Sequence, residues 1–125
     1  MNKEKLYDAF GELLYATFKV EGAIRGEVLV KLEESLAHYN WGAAALWSFN
    51  YEQDHNRSIE DAFDKAYYTF EEFGPNEEYA TLFSLLERLS NKKHYISKRG
   101  RVMIEKFKRR LNKKFSDRYI LTMAG

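Results

Sequence analysis

The residues of this sequence that are best suited to chemistry are charged, and they are unevenly distributed. Positions 92–118 contain twelve Lys and Arg against two acids, whereas the remainder contains eight Lys and Arg against seventeen Asp and Glu. The side of the last predicted helix that we expect to be exposed carries Lys106, Arg109, Arg110, Lys113 and Lys114. Such a face can bind the phosphates of nucleic acid or an anionic membrane surface. It can equally pair with acids of the same protein or of a second copy.

No residue pattern predicts catalysis. The sequence contains no Cys, which excludes thiolate chemistry and disulfides and fits a reducing cytoplasm. His38, His55 and His94 are far apart and near predicted helix ends or loops, whereas a zinc site needs convergent ligands. The motifs of zinc proteases, serine hydrolases, P-loop proteins and dinucleotide-binding proteins are absent. We therefore expect a protein that is not an enzyme.

The length indicates one domain, residues 1–125, with a substantial hydrophobic core. No run approaches the roughly 18 apolar residues of a membrane span, and the first residues do not resemble a secretory signal. We therefore expect a cytoplasmic protein without a transmembrane segment.

The predicted helices that position the charged residues contain an internal sequence repeat. The outline of residues 13–36 recurs 72 positions later, beginning at Leu85. The aligned apolar pairs are Leu13 with Leu85, Leu14 with Leu86 and Ile24 with Ile96. The aligned polar residues differ, because Glu21, Gly22 and Glu27 correspond to Lys93, His94 and Arg99. This pattern predicts a degenerate two-fold helix-turn-helix repeat with halves at approximately 5–38 and 76–115.

Apolar residues recur with the period of a helix throughout, and no segment alternates with period two. We therefore predict an all-α fold, a compact bundle of about six helices. The predicted helices span 5–19, 26–38, 41–51, 59–73, 77–89 and a segment from 98 onwards, whose inward stripe is predicted to include Val102, Ile104 and Phe107. The third, which contains WGAAALWSF, is apolar on several sides. We favour its burial at the centre of the core over a role as an oligomer interface.

Several residues predict where these helices begin and end. Ser58, Asn76 and Ser97 have the side-chain oxygens of N-caps. Gly22 is suited to a left-handed helix end, and Asn40 is a second candidate for positive φ. Gly74 and Pro75 should stop the fourth helix.

The segment Val20-Glu21-Gly22-Ala23-Ile24-Arg25-Gly26-Glu27, between two helices, resembles the TerB-like family. That family includes tellurite-resistance B proteins and the amino-terminal region of some membrane-bound J-domain co-chaperones. The turn around Phe73-Gly74-Pro75 is also similar, so that the resemblance covers most of the chain through short motifs. It implies an all-helical fold with two related halves, each often bearing an Asp-Gly turn and a following Glu.

The resemblance also implies a divalent cation such as calcium, held at Glu21 and Glu27. This sequence departs from the family pattern, since the first acid is Glu and the second half has Lys93 and Arg99. A hard cation takes about six oxygen ligands, which two carboxylates do not supply. We therefore favour a solvent-facing turn acid at Glu21, a helix-dipole partner at Glu27 and no cofactor.

Three functions remain open. The first is a TerB-like module that scaffolds an unidentified protein partner or a second copy of itself, in the stress-response context that the resemblance implies. The second is an anion-binding module whose last helix contacts nucleic acid, which we rank lower because base-reading motifs are missing. An enzyme ranks last.

Leu14→Ala and Leu86→Ala test the repeat. If both leucines are in the core, each substitution should lower the free energy of unfolding by about 2–5 kcal/mol in urea denaturation. Losses below about 1 kcal/mol would mean that the alignment register is wrong.

Overall fold

The computed structural model describes residues 3–24, 26–91 and 95–115. Six helices are present in these ranges: α1 (Lys3–Lys19), α2 (Gly26–Leu36), α3 (Gly42–Asp54), α4 (Ile59–Phe73), α5 (Glu78–Asn91) and α6 (Lys98–Lys114). The described ranges contain no strand, so the prediction of an all-α bundle of about six helices is confirmed. None of the described helices is long and apolar enough to cross a membrane. Arg25, Lys93 and His94 lie outside the described residues.

The central element is α1, which contacts α3, α4 and α6. Every residue from Ala9 to Phe18 is buried, which requires the nearly all-round apolar sequence AFGELLYATF. We predicted that α3 would be buried at the centre of the core. This prediction is wrong for the outer face of α3. Only one face of α3 is buried, and it consists of Gly42, Ala45, Ser48, Phe49 and Glu52. Trp47, on the other side, is 65% exposed.

Small residues let α1 and α3 approach closely. A Cβ atom on Gly11 of α1 would overlap the carbonyl oxygen of Ala45 and lie 2.8 Å from the Cβ of Ser48. At the same crossing, the Ser48 hydroxyl donates to the Asp8 carbonyl oxygen over 2.7 Å. Only glycine at position 11 leaves room for this backbone approach.

Most of the predicted caps form. Backbone N–H groups of Asp61, Glu78 and Gly100 donate to the side chains of Ser58 (3.1 Å), Asn76 (2.8 Å) and Ser97 (3.0 Å). Gly22 has φ +104°, as a left-handed helix end requires.

The turn after α2 differs from the prediction, whereas α4 ends at Phe73, as Gly74 and Pro75 predicted. Asn40 does not have positive φ, because the chain after Leu36 continues through successive tight turns. In the described ranges, the non-glycine residue with positive φ is Asn56 (46°). Gly74 is extended, with φ −101° and ψ 173°. Its lack of a side chain makes room for the hydroxyl of Tyr79 and the ring of Phe115, since a Cβ there would lie 2.7 and 2.8 Å from them.

Helix boundaries repeat at the interval of 72 residues. α1 and α5 end at Lys19 and Asn91, and α2 and α6 begin at Gly26 and Lys98. The four aligned leucines, Leu13, Leu14, Leu85 and Leu86, are all buried. Ile96 is fully buried, whereas Ile24 is only partly buried and lines a small cavity with Tyr95 and Ser97. The turn after α1 therefore lies beside the start of α6.

Gly11→Ala should separate α1 from α3. Although alanine favours a helix, its Cβ meets backbone that cannot rotate away, so we expect a net loss of about 1–3 kcal/mol in urea denaturation. Gly26→Ala is the matched control, because a Cβ at this helical glycine would have no neighbour within 4 Å. A Gly11→Ala variant as stable as Gly26→Ala would contradict the close crossing.

Candidate functional site

Glu21 contacts a cationic side chain. Its carboxylate lies 3.8 Å from Nε of Arg99, with both side chains largely exposed. Glu27 lies in the first turn of α2, as predicted. Within the described ranges, no group of three or more His, Cys, Asp or Glu is placed to hold a metal ion. A metal site at Glu21 and Glu27 is implied only by the family resemblance, and our preference for Glu21 as a solvent-facing acid and Glu27 as a helix-dipole partner stays a prediction.

The basic helix α6 has a buried face and a charged face. Its buried residues are Gly100, Ile104, Phe107 and Leu111. Lys106, Arg109, Lys113 and Lys114 are all exposed. In the described part of the chain, none of these four side chains has a carboxylate within 4 Å, so their charge is directed to solvent.

Arg110 differs from the other predicted anion-binding residues because it contacts α4. Its guanidinium carbon lies 3.8 Å from the ring centroid of Tyr67, and Nη2 donates to the Tyr68 hydroxyl over 3.2 Å. Nη1 is 3.5 Å from the carboxylate of Asp64. Desolvation opposes the charged form, but these contacts outweigh it and raise the pKa of Arg110. The structure therefore separates Arg110 from the four outward cations.

A groove of about 420 Å³ lies between α4 and α6. Its apolar lining comprises Val20, Ile59, Phe63, Val102 and Met103. The prediction that Val102 points inward is wrong, because its side chain is 60% exposed. Glu60 and Asp64 line the α4 side, while Arg99, Lys106 and Arg110 line the α6 side. The groove thus combines an apolar floor with charged rims.

Sequence reasoning missed a network of charges around two buried carboxylates, Glu12 and Glu52. Glu52 of α3 is 1% exposed, and its Oε1 accepts from Nε of Arg57 over 3.1 Å. Nζ of Lys65 in α4 lies 3.1 Å from Oε2 of Glu12 in α1 and 3.5 Å from Oε2 of Glu52. The ammonium group therefore lies between two carboxylates from different helices. The sequence signal was Glu12 within an otherwise apolar run; its partners are too distant in the chain to be identified.

The network binds α1, α3 and α4 together and makes their packing sensitive to pH. Burial raises the pKa of Glu12; the Lys65 ammonium opposes this rise, and the nearby carboxylates of Glu52 and Asp8 add to it. The folded protein therefore holds the Glu12 proton more tightly than the unfolded chain does. This group's contribution to stability falls as pH rises through the carboxyl range toward the raised pKa.

Comparisons of this chain with protein-family models, with curated proteins and with solved structures find no match.

Lys65→Met should destabilise the protein at neutral pH, since it removes the ammonium but keeps the aliphatic stem. We expect a loss of about 1–3 kcal/mol, below the level for a fully buried pair because Arg57 remains and Lys65 is half exposed. The loss should shrink near pH 4, where the carboxyl groups take up protons.

The measurement is urea unfolding across this pH range. Lys5→Met, at an exposed position of α1, is the control and should change stability by less than about 0.5 kcal/mol. A Lys65→Met loss that does not vary with pH would exclude the carboxylates as its cause.

Proposed function

We propose that this chain is a non-enzymatic, TerB-like helical module that binds an acidic partner protein through the groove between α4 and α6. One observation carries the proposal. On a helix that is otherwise well packed, α6 places an exposed valine, Val102, beside exposed cations that have no carboxylate within 4 Å in the described ranges. The stress-response setting is implied by the family resemblance alone. The absence of Cys fits action in the cytoplasm.

The apolar part of the surface favours a protein ligand. Val102 projects at the edge of a groove floored by Ile59, Phe63 and Met103, which is the form of site that receives one face of an amphipathic helix. Full burial of a valine contributes about 1.5–3 kcal/mol relative to exposure. A partner that covers Val102 therefore gains affinity that a purely ionic ligand does not.

The charges favour an acidic partner. Arg99 and Arg110 lie close to Glu21 and Asp64. Within the described ranges, the cations of α6 without a carboxylate within 4 Å are the four outward cations together with Lys98 and Arg101. Acidic residues flanking the apolar face of a partner helix would pair with Lys106 at the groove rim and with Arg109, three residues further along the exposed side of α6. Such complementarity speeds association and makes it sensitive to salt.

Affinity capture from a cell extract at low salt tests this function. The wild-type chain should retain an acidic protein, and both Val102→Ser and the double variant Lys106→Glu/Arg109→Glu should lose it. Val30→Ser is the matched apolar control, because Val30 lies on α2 and is 51% exposed. Lys5→Glu, at an exposed position of α1, controls for added negative charge outside the groove, with a change of two charge units against four in the double variant.

Equal retention by Val102→Ser and Val30→Ser would exclude the groove. A second copy of the chain as the retained species would identify self-association, which light scattering at increasing concentration would measure independently.

Nucleic-acid binding is the second candidate, favoured by the four outward cations alone. If all four contact phosphates, the slope of log affinity against log salt for duplex DNA should be about −3 to −4. Val102→Ser should leave this binding unchanged, whereas Lys106→Glu/Arg109→Glu should weaken it at least tenfold. No measurable binding to generic DNA or RNA at low salt would eliminate this candidate.

A further inference from the structure

A second cavity, of about 400 Å³, lies between the end of α2 and helix α5, in a part of the molecule that the proposed function does not use. Leu85 and Leu89 of α5 supply its apolar lining. Its polar lining comes from Ser35, His38, Tyr39, Arg88 and Tyr95. This volume is within the range of about 300–1,000 Å³ that small-molecule sites occupy.

The polar lining has the composition of an anion site. Each of its five polar side chains can donate a hydrogen bond, and none of the described lining residues is an acid. Arg88 supplies a permanent positive charge. This composition differs from that of the α4–α6 groove, whose rims carry both signs.

The Arg88 guanidinium has unused donors. It donates to the hydroxyl of Tyr39, and in the described ranges it has no carboxylate within 4 Å. A guanidinium has five N–H donors in a planar arrangement that matches the two oxygens of a carboxylate or phosphate. An oxyanion can therefore bind Arg88 without displacing an internal ion pair.

The α2 side of the cavity is rigid. The ring of Tyr39 stacks on Trp41, with centroids 4.6 Å apart, and Trp41 stacks in turn on Tyr7 of α1 at 5.1 Å. The backbone beneath them turns so tightly that a Cβ on Gly42 would overlap the carbonyl oxygen of Leu36. The Tyr39 hydroxyl is thus held in place before any ligand arrives, which lowers the entropy cost of binding.

The opposite side is anchored by the core. The N–H of Ile96 donates to the carbonyl oxygen of Leu89 over 3.3 Å, and the Ile96 side chain is fully buried. These contacts fix the backbone next to Tyr95. The Tyr95 ring and the Leu89 side chain therefore line the same cavity. The N–H groups of Ala37, His38 and Tyr39 occupy the last carbonyls of α2, which limits the repulsion between an anion and this helix end.

We propose that this cavity binds a small organic anion, whose carboxylate or phosphate contacts Arg88 and Tyr39 and whose apolar body lies on Leu85 and Leu89. The charged end supplies orientation through paired hydrogen bonds. The apolar end supplies affinity, because the leucine surface leaves water when the ligand binds.

Titration of the full chain with phenylphosphate and with benzoate, followed by amide NMR shifts, tests this proposal. We expect saturable binding with Kd below about 1 mM for at least one probe and shifts centred on Tyr39, Arg88 and Tyr95. Tighter binding of phenylphosphate assigns a phosphate ligand, and tighter binding of benzoate assigns a carboxylate ligand. Neutral benzyl alcohol should bind at least tenfold more weakly than the better anion.

Two variants and one control locate the binding. Arg88→Gln keeps a donor for Tyr39 but removes the charge, and it should weaken binding at least tenfold, whereas Lys5→Gln, at an exposed position of α1, should leave it unchanged. Ser35→Phe should abolish binding by filling the cavity without altering any charge. Thermal unfolding of each variant verifies that it is folded.

Three results would overturn the proposal. The first is no saturable response to either anion at about 10 mM, about tenfold above the upper limit expected for Kd. The others are equal affinity of Arg88→Gln and the wild type, and equal affinity for inorganic phosphate and phenylphosphate. None of them bears on the α4–α6 groove, because neither probe reports on partner capture.

Discussion

The burial of α1 is the constraint on which the rest of the structure depends. Its residues Ala9–Phe18 have almost no solvent contact, so that α3, α4 and α6 must pack around it. Two residues in this stretch are exceptions to its apolar character. Gly11 admits the backbone of α3, and Glu12 brings a charge into the core. A buried carboxylate requires a partner, and Lys65 on α4 pairs with Glu12.

Local signals predicted the helices well because they act within a single turn. Ser58 and Ser97 cap the helices that follow them, and the apolar stripes of α4 and α5 give their buried faces. The orientation of α3 was not predictable from its sequence, since WGAAALWSF offers apolar residues in every direction and periodicity cannot choose among them. Whether Trp47 or Phe49 is buried depends on which face meets Gly11. The contacts of Glu12, Glu52 and Lys65 were not predictable for a related reason: they join distant positions through the tertiary fold.

From the sequence alone, the basic residues of α6 could pair with acids of the same protein or bind an external ligand. The structure divides these residues into two groups. Arg99 and Arg110 contact acids of other elements, whereas Lys106, Arg109, Lys113 and Lys114 do not within the described ranges. Exposed ion pairs contribute roughly 0–1 kcal/mol each, and a buried Leu, Ile or Phe contributes about 1.5–3 kcal/mol. Ile104, Phe107 and Leu111 therefore hold α6 in place, and folding does not account for the unpaired cations.

The orientation of that charged face is fixed from beneath. Phe107 is the centre of an aromatic cluster in which its ring lies 5.1–6.1 Å from the rings of Phe63, Tyr67, Phe70 and Phe83. Three of these contacts are edge-to-face and the one with Phe83 is tilted. Rotation of α6 about its axis would break these aromatic contacts, each worth about 0.5–1.5 kcal/mol beyond the area buried. Arg110 adds to the restraint, because its guanidinium lies over the ring of Tyr67. The outward cations and Val102 are consequently presented by a helix that does not have to reorganise when a partner binds, so that little of the binding energy is consumed in ordering the surface.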